Sequence, residues 1–201
     1  MSGGRYGKYG EAQRLRRLRR SGPPRTGPPR SSAEPGRCGA GSPSGRLRVR
    51  EARPAERAFV TRLSARAFRR FGSYAKVIRD WLDSGAALTL LALFEGRPAG
   101  FAMTAGIPPD LIAPPETEIL AIAVEPEVRR AGIGRLLLRE TEAAAREAGA
   151  GVIRLHTATG NLPARALFEG EGFRILGVEH RFYPRGQDAF LMIKALKGVR
   201  S

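Results

Sequence analysis

The stretch VEPEVRRAGIGRLLL, residues 124–138, lies where an apolar strand ends and a leucine-rich helix is predicted to begin. The connecting turn contains two arginines and a Gly-x-Gly pair. Glycines let successive backbone N–H groups converge without hindrance from a Cβ atom, and the first N–H groups of a helix have no acceptor within it. The helix dipole and the two guanidiniums add positive charge. The turn therefore predicts a binding site for a pyrophosphate.

Two common phosphate-binding patterns do not fit this turn. A dinucleotide-binding fingerprint needs a third glycine where the chain has Leu137, and its glycines follow the strand directly. Here Gly132 comes eight residues after Val124, the last residue of the predicted strand. A P-loop is excluded as well, because no Gly-Lys-Ser/Thr follows.

Composition limits the classes of protein that need to be considered. The chain has 201 residues, 42% of them hydrophobic, which predicts one domain with a real core and some extra length. A single cysteine, Cys38, and two histidines exclude an internal disulfide framework and a Cys/His zinc site. No apolar run approaches the length of a membrane span, and no apolar segment follows the charged N-terminus. We therefore expect a cytoplasmic, metal-free protein that does not insert in a membrane.

Residues 1–46 form a basic segment rich in proline, glycine and arginine. They hold eleven Lys and Arg residues and two acidic residues, a net charge of +9. This is more than half of the net charge of +16 of the whole chain. The segment has no apolar period, so we expect a disordered tail. It can be a solvated extension, an arm that binds RNA or phosphate, or a targeting segment. Nucleic acid is expected as a partner only through this tail.

From Arg46 onward the pattern alternates between strand and helix periods. We predict helices that start at Pro54 and at the turn before Ile133, a second short helix around Trp81, and a hairpin at Glu95-Gly96-Arg97. The apolar side of the central helix is predicted to carry Ile133, Leu136, Leu137, Thr141 and Ala144. Further strands are predicted over 46–52, 116–124, 151–159, 173–183 and 188–196, with a helix over 162–172. This order predicts an α/β fold, a mixed sheet flanked by helices with at least one β-α-β crossover.

Two motifs resemble the GNAT N-acetyltransferases. Arg129-x-x-Gly132-x-Gly134 resembles their acetyl-CoA-binding loop, although exposed arginines beside an ordinary helix start would look alike. The segment NLPARALFEGEGF, residues 161–173, resembles a second signature of the family and begins 27 residues after Gly134. The resemblance implies a GNAT domain over 47–198 that binds acetyl-CoA as co-substrate. The implied cofactor-binding residues are Ile122, Ala123, Val124, Arg129, Arg130, Ala131, Gly132, Ile133, Gly134, Asn161 and Phe168.

The C-terminal segment carries a further likeness. Phe182-Tyr183, followed by Asp188-Ala189 and Met192, is similar to the last strands of the ribosomal-protein-alanine type of GNAT enzyme. An edge hairpin with ordinary aromatic packing would show the same residues. The resemblance implies transfer of acetyl to a primary amine by direct attack in a ternary complex. A strand around Ile122 to Val124 would part from its neighbour and supply a backbone N–H to the thioester carbonyl.

The resemblance implies three candidate catalytic residues. Glu118 and His156 stand where family members carry their general base, and an imidazole is suited to that task near neutral pH. Glu118 can also be a solvated carboxylate at a strand end, His156 a structural residue, and both can hold a water relay. Tyr183 is a candidate proton donor, or else a ring that packs in the fold or holds the acceptor. Asn161 can contact the cofactor, cap a helix, or do both.

One residue departs from the family pattern. Phe168 replaces the tyrosine that usually protonates the departing thiolate of CoA. An unassisted thiolate with a pKa of ~8.5 costs about 2 kcal/mol at pH 7, which is a modest handicap.

The acceptor and the assembly remain open at this point. About 10% of an α-amine with a pKa of ~8 is neutral at pH 7, a far larger fraction than for a lysine side chain. A weaker general base is therefore enough to deprotonate it. We therefore expect the N-terminal amine of a peptide, with a small-molecule amine or a catalytically weak binding module as alternatives. The protein is expected to be a monomer or homodimer.

Overall fold

A computed structural model of the chain describes residues 46–72, 74–107 and 115–196. The predicted tail lies outside the described residues except for Arg46. Within the predicted domain, the segment 108–114 and residues 197–198 also lie outside them.

The described residues alternate between strands and helices much as the sequence predicts. The strands are β1 (Leu47–Glu51), β2 (Leu88–Phe94), β3 (Arg97–Ile107), β4 (Glu116–Val124), β5 (Val152–Ala158), β6 (Arg174–Glu179) and β7 (Ala189–Ala195). The α-helices are α1 (Arg57–Ala67), α2 (Tyr74–Ser84), α3 (Ile133–Glu147) and α4 (Leu162–Gly170). Short 3-10 turns occupy Pro54–Glu56, Arg69–Phe71 and Pro126–Val128. The predicted hairpin is confirmed, because Glu95 and Gly96 both take positive φ values, 50° and 78°, as a two-residue turn requires.

The strands form one mixed sheet in the order β1-β2-β3-β4-β5-β7-β6. Strands β4 and β5 run parallel and are joined through α3, whereas the other neighbours are antiparallel. The predicted α/β fold with a mixed sheet and a β-α-β crossover is therefore confirmed. The crossover matters for function because it brings the start of α3 to the end of β4.

Helix α3 buries a broader face than the one predicted. Ile133, Leu137 and Thr141 are buried as expected, but Leu136 and Ala144 are only half-buried. The remaining buried positions are Leu138, Glu142 and Ala145. The reason is tertiary: α3 contributes Ile133 and Leu137 to a cluster with β2 and β3, and Leu138 and Ala145 to another with β4 and β5. Two clusters broaden the buried stripe beyond a single helical period.

The predicted strand over 173–183 is too long, because β6 ends at Glu179. The chain then turns at Arg181, whose φ is 52°. Asp188 closes this turn by accepting a hydrogen bond from the Arg181 N–H at 2.8 Å and contacting His180 Nδ1 at 2.9 Å. These contacts hold the pKa of Asp188 below its usual range, with the Arg181 backbone bond as the main cause.

Arg50 on β1 and Glu56 before α1 form a paired contact that predicts a pH dependence of stability. Arg50 Nη1 lies 2.8 Å from Glu56 Oε2, and its hydrogen bonds lower the pKa of Glu56 from 4.5 to about 2. A depressed carboxyl pKa stabilises the fold fully above about pH 4.5 and loses that effect as the pH falls towards about 2. Glu56→Gln should therefore lower the unfolding midpoint at neutral pH and match wild type in strong acid. Urea unfolding across this range checks it, with exposed Glu51→Gln as the matched control.

Candidate active site

The sheet opens between β4 and β5. Their pairing ends at Ile119 and Leu155, although β4 continues to Val124 and β5 to Ala158. On its other side β4 stays paired with β3 up to Gly100 and Val124, with a register shift that skips Leu120. Within the described residues, one edge of the last β4 residues is therefore left without a strand partner, as a GNAT-like geometry requires.

Alternation along β4 decides which backbone groups face this opening. The Glu125 N–H donates to Ala99 O at 2.8 Å, and the Ala123 carbonyl would stand 2.7 Å from a Cβ on Gly100, so both residues are directed towards β3. Ile122 and Val124 therefore direct their N–H and C=O groups into the opening. Of the three predicted residues, these two can donate to a ligand there, whereas Ala123 only lines the cleft.

The start of α3 provides a set of backbone donors at the end of the opening. Gly132 is its N-cap residue, with φ at 81°, and no side chain makes a capping hydrogen bond there. The first helical bond runs from the Leu136 N–H to Gly132 O at 3.0 Å, so the N–H groups of residues 132–135 have no helical acceptor. Such a helix start attracts an anion.

The two glycines of this turn serve different purposes. Nothing would crowd a Cβ at Gly132, so its left-handed backbone is the reason for glycine there. At Gly134 a Cβ would stand 3.3 Å from Leu167 Cδ2, so this glycine permits the close approach of α3 and α4. Arg130 also has a positive φ of 66°, which marks a strained turn. Ala131 is exposed, and the Ile133 side chain points into the core.

A cleft of about 900 Å³ extends from the turn at the start of α3, across the end of β4, to the start of α4. Five arginines line it: Arg66, Arg70, Arg129, Arg130 and Arg135. Arg129 Nε also donates to Val124 O at 3.3 Å, and Arg135 Nε lies 2.8 Å from Glu171 Oε1. The cleft therefore combines backbone donors and positive charge with the apolar walls contributed by Leu63, Phe71 and Leu167.

Asn161 and Phe168 from the second motif both line the cleft. Asn161 is the N-cap residue of α4, but its side chain makes no capping hydrogen bond. Phe168 is 3% exposed and packs against Phe173 with ring centroids 5.9 Å apart. The predicted cofactor-binding residues thus lie around one cleft, except for Ala131, which does not line it.

Glu118 and His156, two rival candidates in the sequence, form a pair. Glu118 Oε1 lies 3.0 Å from His156 Nδ1, at hydrogen-bonding distance. Arg154 Nη2 lies 3.6 Å from the second oxygen of Glu118. By strand alternation these side chains occupy the opposite face of the sheet from Ile119 and Leu155, which pack under α3 and α4. Neither residue lines the cleft itself.

A row of aromatic rings connects this pair with the cleft. His156 stacks on Phe182 at 4.2 Å, and Phe182 meets Tyr183 edge-on at 5.0 Å. Tyr183 stacks in turn on Phe71, a cleft residue, at 4.5 Å. Tyr183 is 7% exposed and does not line the cleft, so the structure places the third predicted catalytic residue between the pair and the cleft wall.

Three contributions to this region were missed from the sequence. Arg66 and Arg70, near the end of α1, line the cleft, and Gln187 Nε2 donates to Arg70 O at 2.7 Å. Glu179, the last residue of β6, lies 3.3 Å from His156 Nε2. The arginine-rich segment ARAFRRF, residues 65–71, was a usable signal for the first two. Glu179 had none, because its approach depends on β6 pairing beyond β7.

Two features are absent from the described part of the chain. No helix there is long and apolar enough to cross a membrane. Within the same ranges, no group of three or more His, Cys, Asp and Glu side chains is arranged to hold a metal ion.

Comparison with known proteins supplies independent information. The pattern that describes the Acetyltransferase (GNAT) family matches residues 55–173. N-alpha-acetyltransferase RimI of Mycobacterium tuberculosis is 41% identical over 80 residues, 39% of this chain and 49% of RimI. The [ribosomal protein bS18]-alanine N-acetyltransferase of Salmonella typhimurium is 31% identical over 108 residues, 52% of this chain and 69% of that protein. The chain thus spans about half the length of the first of these relatives.

Solved structures share the fold. Arabidopsis thaliana NAA60 in complex with acetyl-CoA superposes with a TM-score of 0.65 at 18% identity, covering 76% of this chain and 99% of that one. The ribosomal-protein-alanine N-acetyltransferase of Brucella melitensis gives 0.63 at 24% identity, covering 74% and 99%. Because both identities are below 25%, these comparisons show a shared fold and nothing about function.

Proposed function

Because the chain belongs to the GNAT acetyltransferase family, we propose that it is an acetyl-CoA-dependent N-acetyltransferase that acts on the N-terminal α-amine of a peptide. The observation that carries this proposal is the uncapped start of α3 at Gly132, beside the unpaired edge of β4. A pyrophosphate and an extended chain bearing amide groups together need this combination of donors.

The residues of the cleft fit coenzyme A. The N–H groups of residues 132–135 and the guanidiniums of Arg129 and Arg130 would hold the pyrophosphate. The exposed edge at Ile122 and Val124, with the Asn161 carboxamide, would hold the amide-bearing arm. Bound acetyl-CoA supplies an activated acetyl thioester. The chain supplies a backbone N–H of β4 where negative charge develops on the carbonyl oxygen.

The acceptor assignment rests on chemistry and on relatives. An α-amine loses its proton more readily than a lysine side chain. The Glu118–His156 pair would therefore need to supply less help in deprotonating the acceptor. The Mycobacterium tuberculosis relative is named an N-alpha-acetyltransferase, and the Salmonella relative is named for a ribosomal-protein alanine. We infer the same class of acceptor here, a peptide N-terminus.

The test is a panel of peptides and small amines with acetyl-CoA, read by release of free thiol. We expect release with free N-termini and a mass increase of one acetyl group at the first residue. A matched peptide with a blocked N-terminus and an internal lysine should stay unmodified. Transfer to small amines alone would contradict the peptide assignment, and no transfer to any acceptor would contradict the enzyme assignment.

Phe168→Tyr provides a second measurement. The ring lies against the cleft, so a hydroxyl added there can protonate the departing thiolate. We expect turnover that is unchanged or raised by up to about tenfold, because the assistance offsets a cost of roughly 2 kcal/mol only in part. Steady-state kinetics measure it, with Phe173→Tyr as the control for adding a hydroxyl to the neighbouring ring. A large loss of turnover would show that the cofactor lies elsewhere in the cleft.

A further inference from the structure

His156 lies between two carboxylates. Its Nδ1 is 3.0 Å from Glu118 Oε1 on β4, and its Nε2 is 3.3 Å from Glu179 Oε1 on β6. Stacking on Phe182, with ring centroids 4.2 Å apart, fixes the orientation of the imidazole ring. The contact with Glu179 joins two strands that do not pair with each other, since β7 lies between β5 and β6.

The two ring nitrogens are not equivalent. A neutral imidazole has one N–H donor and one acceptor nitrogen. The contact between Nδ1 and Glu118 has hydrogen-bond geometry, which assigns the N–H to Nδ1. Nε2 is buried and makes no hydrogen bond within the described residues. The lone pair of this nitrogen is therefore directed at the Glu179 carboxylate, 3.3 Å away.

Access to solvent increases along the three side chains. Glu118 is 6% exposed, His156 11% and Glu179 22%. An acceptor that approaches this face therefore reaches Glu179 first. The other charged groups recorded at this face are Glu116 and Arg154, which contact each other at 3.3 Å. Among the described residues, Glu116, Glu118 and Glu179 thus contribute carboxylates to this face beside the guanidinium of Arg154, and carboxylates suit a cationic amine.

We propose that Glu179 binds the ammonium group of the acceptor and guides its proton to Nε2 of His156, while Glu118 positions the imidazole. This inference rests on the proposed function and deepens it. The N–H bond of the ammonium breaks, its proton passes to Nε2, and the freed electron pair forms the new C–N bond. The imidazolium then lies between two carboxylates until its proton leaves for solvent. The C–S bond then breaks and its electron pair leaves with the thiolate, while the second N–H proton of the acylated nitrogen passes through solvent to that thiolate.

The test separates binding of the acceptor from proton transfer. Glu179→Gln keeps the size of the side chain and removes its charge, so we expect the KM for a peptide acceptor to rise about 10- to 100-fold. The KM for acetyl-CoA should stay unchanged, because Glu179 does not line the cleft. His156→Gln should instead lower kcat and leave the acceptor KM within about threefold. Glu179→Asp, which restores the charge, should recover part of the acceptor affinity and guards against a fold defect in Glu179→Gln.

The control is Glu169→Gln on α4, which removes one carboxylate from a position that pairs with Arg165. It should leave both KM values unchanged. An acceptor KM within about twofold of wild type in Glu179→Gln would overturn this inference while leaving the enzyme assignment intact. Equal losses in Glu179→Gln and Glu179→Asp would also overturn it, because the charge would then not matter. Absence of thiol release by the wild-type protein would instead overturn the proposed function.

Discussion

His156→Gln lowers kcat by about 10²- to 10⁴-fold, the usual contribution of a general base, and adding Glu118→Gln lowers it no further. The reason is the 3.0 Å contact between the two side chains. If Glu118 acts by positioning the imidazole, it has nothing left to position once the ring is gone. Groups that act as one unit show this non-additivity in mutant kinetics.

The measurement is a double-mutant cycle on kcat with a peptide acceptor at saturating acetyl-CoA. Glu118→Gln alone should cost less than His156→Gln, since the ring remains in place against Phe182. Glu116→Gln is the control, because its carboxylate is on the same strand and contacts Arg154 and not the histidine. Additive losses from the two substitutions would mean that Glu118 and His156 act separately, as the sequence left open.

Gly132→Asp should raise the KM for acetyl-CoA by on the order of 100-fold with little change in the acceptor KM. A carboxylate at the N-cap of α3 would place a negative charge beside the uncapped N–H groups, where the pyrophosphate is expected. Charged hydrogen bonds are worth about 1.5–3 kcal/mol each, so loss of one or two accounts for the magnitude.

Titration calorimetry with coenzyme A measures this effect without relying on turnover. Gly132→Ala is the matched control, because it imposes the same left-handed strain at a φ of 81° without adding charge. A Cβ there meets no neighbouring atom, so the alanine variant should fold and bind within about tenfold of wild type. Equal losses in both variants would assign the effect to backbone strain and would remove the main support for an anion site at this turn.

Much of the fold could be predicted because its signals are local. The hairpin at Glu95-Gly96, the break at Pro126 and the start of α3 each depend on a few adjacent residues. The errors arose where burial depends on distant partners. Leu138 and Ala145 are buried because β4 and β5 lie beneath them, and no helical period in α3 reveals that. Strand β6 stops at Glu179 because Asp188, nine positions on, closes the turn.

The sequence by itself determined the cofactor turn. Its spacing of arginines and glycines specifies a backbone conformation and a charge within a few consecutive residues, so no distant contact is needed to recognise it. Only the tertiary structure decided how the face proposed to bind the acceptor is built. Glu118, His156 and Glu179 come from three strands, and register and strand order alone bring their side chains to within 3.0 and 3.3 Å. Hydrogen bonds and proton transfers need side chains within about 3 Å of each other. The number of residues between two positions in the sequence does not tell whether their side chains come that close.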